Sequence, residues 1–154
     1  MNLEFGSEYD EFTSEVEAFC KEYSGATITT NDKKFEMHDA LSGNVSSSKG
    51  KSVGRSEWQK ILIEKGYFAR SIPKEYGGHG GEPDIIKSRI IAGAFAKYKV
   101  PNAMGGQGID MLVPTLLEWG TEDQKQQHIE STLLGETIWC QGYSEPNAGS
   151  DLAS

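Results

Sequence analysis

The groups best suited to holding a polar ligand lie together near the end of the chain, from Thr137 to Ser154. Thr137 to Tyr143 is half apolar and reads as an extended strand. Glu145-Pro146 is biased toward extended geometry, because proline restricts the residue before it, and Asn147 and Gly149 favour tight turns. Such a loop has free backbone N–H groups beside the hydroxyls of Ser144 and Ser150, a set that can grip an anionic or polar ligand. A strand with no sheet after it is half a feature, so the chain reads as the front end of something larger.

Other chemistry-bearing residues are scattered. His38, His79 and His128 are not paired at metal-ligand spacing. His128 falls in a polar stretch and is expected at the surface; His79 is expected to touch a ligand or nothing. Cys20 and Cys140 are far apart and lack zinc spacing; they read as reduced, partly buried thiols, with a structural disulfide as the alternative. Gly77, Gly78, Gly80 and Gly81 are not framed by a strand and helix at dinucleotide-binding spacing. They are read as a flexible connection between helices. No nucleophile elbow, phosphate loop with lysine or metalloprotease motif is present. The many carboxylates read as a solvated face, and none is assigned as a catalytic acid or base.

The 154 residues suffice for one domain with a core. The formal net charge of -8 argues against nucleic-acid binding, which needs cationic groups to replace counterions. Any phosphate grip must be local. The acidic start is no signal peptide and no run is long enough to span a membrane, so a cytoplasmic location is expected.

The elements that must position the tail are helical. Tyr9, Phe12, Val16, Phe19 and Tyr23 recur at helical spacing over residues 8 to 23, and their aromatic stripe is read as core. Thr27 to Thr30 reads as a short extended piece and Lys33 to Leu41 as a short helix. Ser42 to Gly54 is Ser/Gly/Lys-rich and reads as a flexible loop. Ser56 is the expected cap of a helix carrying Trp58, Ile61 and Leu62 and ending at Gly66. Tyr67 to Ile72 is expected to be extended. Pro83 is expected in the first turn of a long helix with Ile86, Ile90, Ile91, Ala94, Phe95 and Tyr98. Residues 109 to 119 form another, bent at Pro114. Thr121 and Gln124 make a capping box for a last helix that Gly135 ends. The expectation is an all-α domain over residues 1–136, with 42–54 as a flexible loop, giving way to a β domain over 137–154.

Four blocks carry a family resemblance. They are Gly66-Tyr67, then Ile72-Pro73-Lys74-Glu75-Tyr76-Gly77-Gly78, then Gly120-Thr121-Glu122-Asp123-Gln124-Lys125, and finally Gly142 to Asp151. From Trp58 to Ser154 the chain resembles the amino-terminal part of the acyl-CoA dehydrogenase family; residues 1 to 57 match poorly. The resemblance implies an amino-terminal helical domain followed by the first strand of a middle β-barrel that is otherwise absent. A carboxy-terminal helical domain completes that family's subunit. It implies FAD as cofactor and an acyl-CoA substrate. The substrate loses an α-proton to a glutamate and a β-hydride to the flavin, giving a trans-2-enoyl-CoA. Electrons then pass to an electron-transfer flavoprotein.

Carried over by position, the resemblance assigns flavin contacts to Gln141, Gly142, Tyr143, Ser144, Gly149 and Ser150. Ser150 is also assigned to the substrate. Ser144 stands where threonine is commoner, and Asn147 where glycine often stands. The catalytic glutamate falls outside these residues, so the chain alone is expected to be inactive and to associate with polypeptide supplying the rest. A non-catalytic helical domain that binds the remainder of a split dehydrogenase is the alternative. Short, branched, long, aromatic and steroid-side-chain acyl groups all remain open. The wording Gly142 to Pro146 resembles a branch common in actinobacterial or environmental degraders of unusual acids.

Overall fold

The computed structural model describes residues 6–29 and 51–143. The expected helix at Lys33 to Leu41 and most of the 42–54 loop lie outside them, as do His38, Ser144, Asn147, Gly149 and Ser150. Helix α1 spans Asp10–Glu22, α2 Arg55–Glu64, α3 Ile85–Tyr98, α4 Val113–Trp119 and α5 Glu122–Leu133. Short strands β1 (Thr27–Thr29) and β2 (Ser52–Gly54) pair in parallel, with Ile28 opposite Val53. The fold is predominantly helical, as the periodicity predicts.

Two apolar clusters share α2. Trp58 and Leu62 face the first, with Val16 and Phe19 of α1 and Ile90, Ile91 and Phe95 of α3. Ile63 faces the second, with Tyr76, Val113, Ile129 and Leu133. Helix α2 therefore contributes to both clusters, and Phe68 packs against both as well. The aromatic stripe of α1 is core, as expected. The Phe19 ring centroid lies 5.9 Å from Trp58 and 6.1 Å from Phe95, and Tyr67 meets Phe19 edge-on at 5.1 Å. Such pairs add about 1 kcal/mol each beyond burial.

Several local expectations are corrected. Ser52–Gly54 is a strand, because Val53 is buried and that single apolar group, hidden in a polar stretch, fixes the pairing. Helix α2 begins one residue before Ser56, with Gly54 in the capping position, and the Ser56 hydroxyl reaches Glu136 at 3.4 Å instead. Tyr67 to Ile72 is a run of turns rather than extended chain. Gly66 and Ala69 both have positive φ, and the amides of Tyr67 and Phe68 fold back onto the Leu62 carbonyl. Pro83 precedes α3, whose cap is Asp84; its carboxylate accepts from the amides of Ile86 and Lys87 at 2.9 Å each. The irregularity near Pro114 is a π-helical turn, Gly108–Leu112, and α4 starts after it. Thr137 to Tyr143 forms no strand ladder with any described residue. A strand exists only against a partner, and β1 and β2 are already paired with each other.

The capping box at the start of α5 forms as the sequence predicts, with the Thr121 hydroxyl accepting from Gln124 N at 3.3 Å and the Gln124 side chain accepting from Thr121 N at 2.9 Å. One turn of chemistry beside it has a pH consequence. The Tyr76 hydroxyl donates to Glu122 at 2.6 Å, and Lys125 donates to the other oxygen of that carboxylate at 2.9 Å. The Tyr76 bond first, then Lys125, hold the Glu122 carboxyl below its usual range, and Glu122 in turn pushes the Tyr76 phenol up to about 12. Folding thus favours ionised Glu122 and neutral Tyr76. The stabilisation from Glu122 is present above its unfolded pKa and fades as pH falls through its lowered folded value. That from Tyr76 is full below about pH 10, the unfolded phenol range, and is lost as pH rises through the raised value. Tyr76→Phe should move the Glu122 midpoint upward in a carboxyl NMR titration; an unmoved midpoint would remove the phenol as the cause.

Candidate active-site cleft

A cleft of about 750 Å³ opens between the 66–72 turns, the stretch from Pro83 to Phe95 that includes most of α3, and the segment Asn102 to Asp110. Phe68, Ile72, Ile91, Phe95, Met104 and Ile109 make it chiefly apolar. Each wall is built by local rules. The glycine loop after Pro73 is tight, not the flexible connection expected. The Gly78 amide donates to Pro73, Gly80 to Ile72 and Gly81 to Arg70, with distances of 2.7 to 3.1 Å. A side chain at Gly78 would strike the Ile72 carbonyl. His79, expected at a ligand or nothing, has its Nδ1 2.9 Å from the Ile63 carbonyl and so staples this loop to α2.

The opposite wall hangs on one amide. Gln59 is 1% exposed; its Nε2 donates to the Leu133 carbonyl at 2.9 Å and its Oε1 accepts from Met104 N at 2.9 Å. Asp110 closes the same segment by accepting from Gly106 N at 3.1 Å. The π-helical turn begins at Gly108, where Trp139 packs closely. A Cβ on Gly108 would lie 2.7 Å from the Trp139 ring and 2.9 Å from the Thr132 methyl, so only glycine fits.

The tail is pinned to this wall. Trp139 Nε1 donates to the Thr132 hydroxyl at 2.9 Å, which itself donates to the His128 carbonyl at 2.6 Å. The His128 ring meets Trp139 edge-on at 5.5 Å, so His128 is half-buried rather than the surface residue expected. Gln141 bridges two residues of the wall: its Oε1 accepts from Gln107 Nε2 at 3.1 Å, and its Nε2 lies 3.1 Å from Met111 Sδ.

Of the expected flavin contacts, Gln141, Gly142 and Tyr143 are described. Gln141 is against the cleft wall. Gly142 faces open space, and Tyr143 stands 81% exposed. Cys20 is fully buried, with its thiol pushed up to about 11 by desolvation and by Glu17, whereas Cys140 is exposed; neither forms a disulfide among the described residues. Sequence reasoning missed Gln59 and Trp139 as the groups that position the site. The signal for Gln59 was present: it lies between Trp58 and Leu62 on a buried helical face, where a polar side chain must have partners.

The family described as "Acyl-CoA dehydrogenase, N-terminal domain" matches residues 7–136. The chain is similar to the acyl-CoA dehydrogenase IpdE1 of Mycolicibacterium smegmatis, 36% identical over 100 residues, which is 65% of this chain and 25% of that protein. Its fold is similar to the crystal structure of the ChsE4-ChsE5 complex from Mycobacterium tuberculosis, with a TM-score of 0.54 at 22% identity over 98% of this chain and 34% of that one. It is also similar to a structure titled "Tcur3481-Tcur3483 steroid ACAD", with a TM-score of 0.52 at 24% identity over 100% of this chain and 36% of that one. The chain therefore spans about a quarter to a third of the length of these relatives.

Proposed function

The chain belongs to the acyl-CoA dehydrogenase family, and on that premise we propose that it is the amino-terminal part of a FAD-dependent enzyme that oxidises an acyl-CoA thioester to a trans-2-enoyl-CoA. A domain boundary falls near Glu136, with residues 137–154 opening the middle β domain. The observation that carries this reading is the coupling of cleft to tail. The Met104–Asp110 wall lines the apolar cleft and is hydrogen-bonded, through Gln107, to Gln141, the first of the expected flavin residues. An acyl group in the cleft and a flavin along the tail would then be neighbours.

FAD supplies the acceptor for the hydride. This chain's residues hold and orient. Phe68, Ile91 and Ile109 strip water from the acyl chain, and Trp139 and Gln141 fix where the tail leaves the wall. Gly142, Tyr143, Ser144, Gly149 and Ser150 would hold the cofactor, and Ser150 would also contact the substrate. The α-proton goes to a glutamate outside this chain. Electrons leave through an electron-transfer flavoprotein. Ile138 is 70% exposed and Trp119 78%; together with Tyr143 they favour association with more polypeptide, which supplies the barrel and the base. The same exposed set serves the alternative of a non-catalytic helical domain that assembles a split dehydrogenase. The "steroid" in one structural neighbour's title, and the roomy cleft, favour a bulky acyl group. Among the described residues no helix is long and apolar enough to cross a membrane, and a cytoplasmic site of action is proposed.

In the assembled enzyme Ser144→Ala should weaken flavin binding or slow its reduction, a loss of roughly 1 to 3 kcal/mol for one hydroxyl partner. Flavin titration and stopped-flow bleaching read both. Unchanged affinity together with unchanged reduction would take Ser144 out of the flavin site.

A further inference from the structure

We propose that the cleft accepts an acyl group whose end remote from the thioester carries a carbonyl or carboxylate oxygen, and that Arg70 holds that oxygen. The inference rests on the acyl reading of the cleft given above. Arg70 is half-buried and lines the cleft from the turn wall, whereas the tail meets the cleft at the Met104–Asp110 wall. Its Nε donates to the Glu82 carbonyl at 3.0 Å, and its Nη1 reaches the Gly66 carbonyl at 3.5 Å. Both partners are neutral backbone groups. They fix the plane of the guanidinium and leave its charge uncompensated. Nη2 has no hydrogen-bond partner and Arg70 no carboxylate partner among the described residues.

The two carboxylates that share the cleft are committed elsewhere. Asp84 caps α3 by accepting from the amides of Ile86 and Lys87, against the positive end of that helix. Asp110 accepts from Gly106 N on the wall that bears the tail. Both oppose an anion in the cleft at longer range, so a ligand oxygen gains there only by direct contact with Arg70.

A plain hydrocarbon end would displace water from that guanidinium and give nothing back. Arginine offers donors only, so the compensating group must be an acceptor. A ketone or a carboxylate qualifies, and the planar fork suits the carboxylate best. Ser88 and Asn102, also on the cleft lining, supply further polar contacts of the kind an oxygenated acyl group uses.

The test measures binding by calorimetry to a folded full-length family member in which this chain replaces the matching segment, with decanoyl-CoA, its terminal-keto analogue and its terminal-carboxylate analogue. Both oxygenated ligands should bind about tenfold more tightly than decanoyl-CoA, as one charge-assisted contact warrants. Arg70→Gln should bring the three ligands to within about twofold of one another, abolishing the preference for the oxygenated ends. Arg70→Lys, which keeps the charge and the fold's local electrostatics, should retain a reduced preference for the carboxylate. Keto binding without carboxylate binding would assign the site to a neutral carbonyl. Decanoyl-CoA bound as tightly as its analogues, or a preference that survives Arg70→Gln, would overturn this inference alone. No binding of any acyl-CoA would overturn the acyl reading of the cleft, and this inference with it.

Discussion

Gly78→Ala is expected to lower the stability of the chain by about 3 kcal/mol, the upper range for overpacking a filled site. The added Cβ would collide with the Ile72 carbonyl oxygen and lie 2.5 Å from its carbon. These are backbone atoms, which cannot rotate away. The whole turn that carries Arg70 and Ile72 would have to shift, and with it one wall of the cleft. Gly93→Ala supplies the internal control. Gly93 lies in α3 with nothing within 4 Å of a built Cβ, so alanine there should stabilise by about 0.5 to 1 kcal/mol through helix propensity and a restricted unfolded chain. Urea denaturation of both variants reads the two signs. A Gly78→Ala protein within 0.5 kcal/mol of the parent, roughly the spread of a neutral surface change, would show that the turn yields and that the cleft wall is soft.

Gln59→Leu carries the second large effect. Leucine matches the apolar surroundings and nearly the volume, so hydrophobicity alone predicts a gain. The hydrogen bonds predict the reverse. Leu133 would keep a buried carbonyl, and Met104 an amide, without their partners. At about 1 to 3 kcal/mol for each unsatisfied group, a net loss of about 3 kcal/mol is expected. The loss should be accompanied by faster amide exchange at Met104 and its neighbours, because that wall is then untied from α2 and α5. Gln59→Glu separates donor from acceptor. It can still accept from Met104 but, when ionised, cannot donate to Leu133. Its stability should therefore rise as pH falls and the buried carboxylate takes up a proton. Stability equal to the parent in the leucine variant would mean that water or a rearranged backbone serves those groups, and the wall would lose its proposed anchor.

What the sequence made legible and what it hid divide along physical lines. The helices of the core were legible because Phe12, Val16 and Phe19, or Ile90, Ile91 and Phe95, repeat at the helical period, and burial of such a stripe is a local pattern with one structural solution. The Thr121–Gln124 cap was legible for the same reason: donor and acceptor lie three residues apart. The pairing of β1 with β2 was not, since its strands are three residues each and separated by more than twenty others, so no period exists to read. The turns from Gly66 to Ile72 were hidden because their cause is the fold-back onto Leu62 and a glycine at positive φ, not the apolar content of the segment. The strand expected at Thr137 to Tyr143 was read from composition, but strand formation needs an edge to pair with. In its place Trp139 makes the longer-range contact, with Thr132, that decides where the tail goes. The cleft itself is lined by three successive segments, 66–72, 83–95 and 102–110, whose arrangement depends on the turns and on contacts with α2 and α5 that no periodic pattern shows. The blocks that resemble the family were visible at once, yet only the structure connects Gln141 to the wall that lines the cleft.

The central claim is that these residues build one side of an acyl-CoA and flavin site that another stretch of polypeptide completes. Its most direct test is the visible absorbance of two preparations: the 154-residue chain alone, and a full-length family member in which this chain replaces the matching segment. The account predicts that the chain alone takes up FAD poorly, because one wall must bear the whole ordering cost of loop and cofactor. It predicts that the folded chimera is yellow, holds FAD stoichiometrically and bleaches on addition of acyl-CoA. Stoichiometric flavin on the chain alone, or a folded chimera that is colourless or does not bleach with any acyl-CoA, would contradict it.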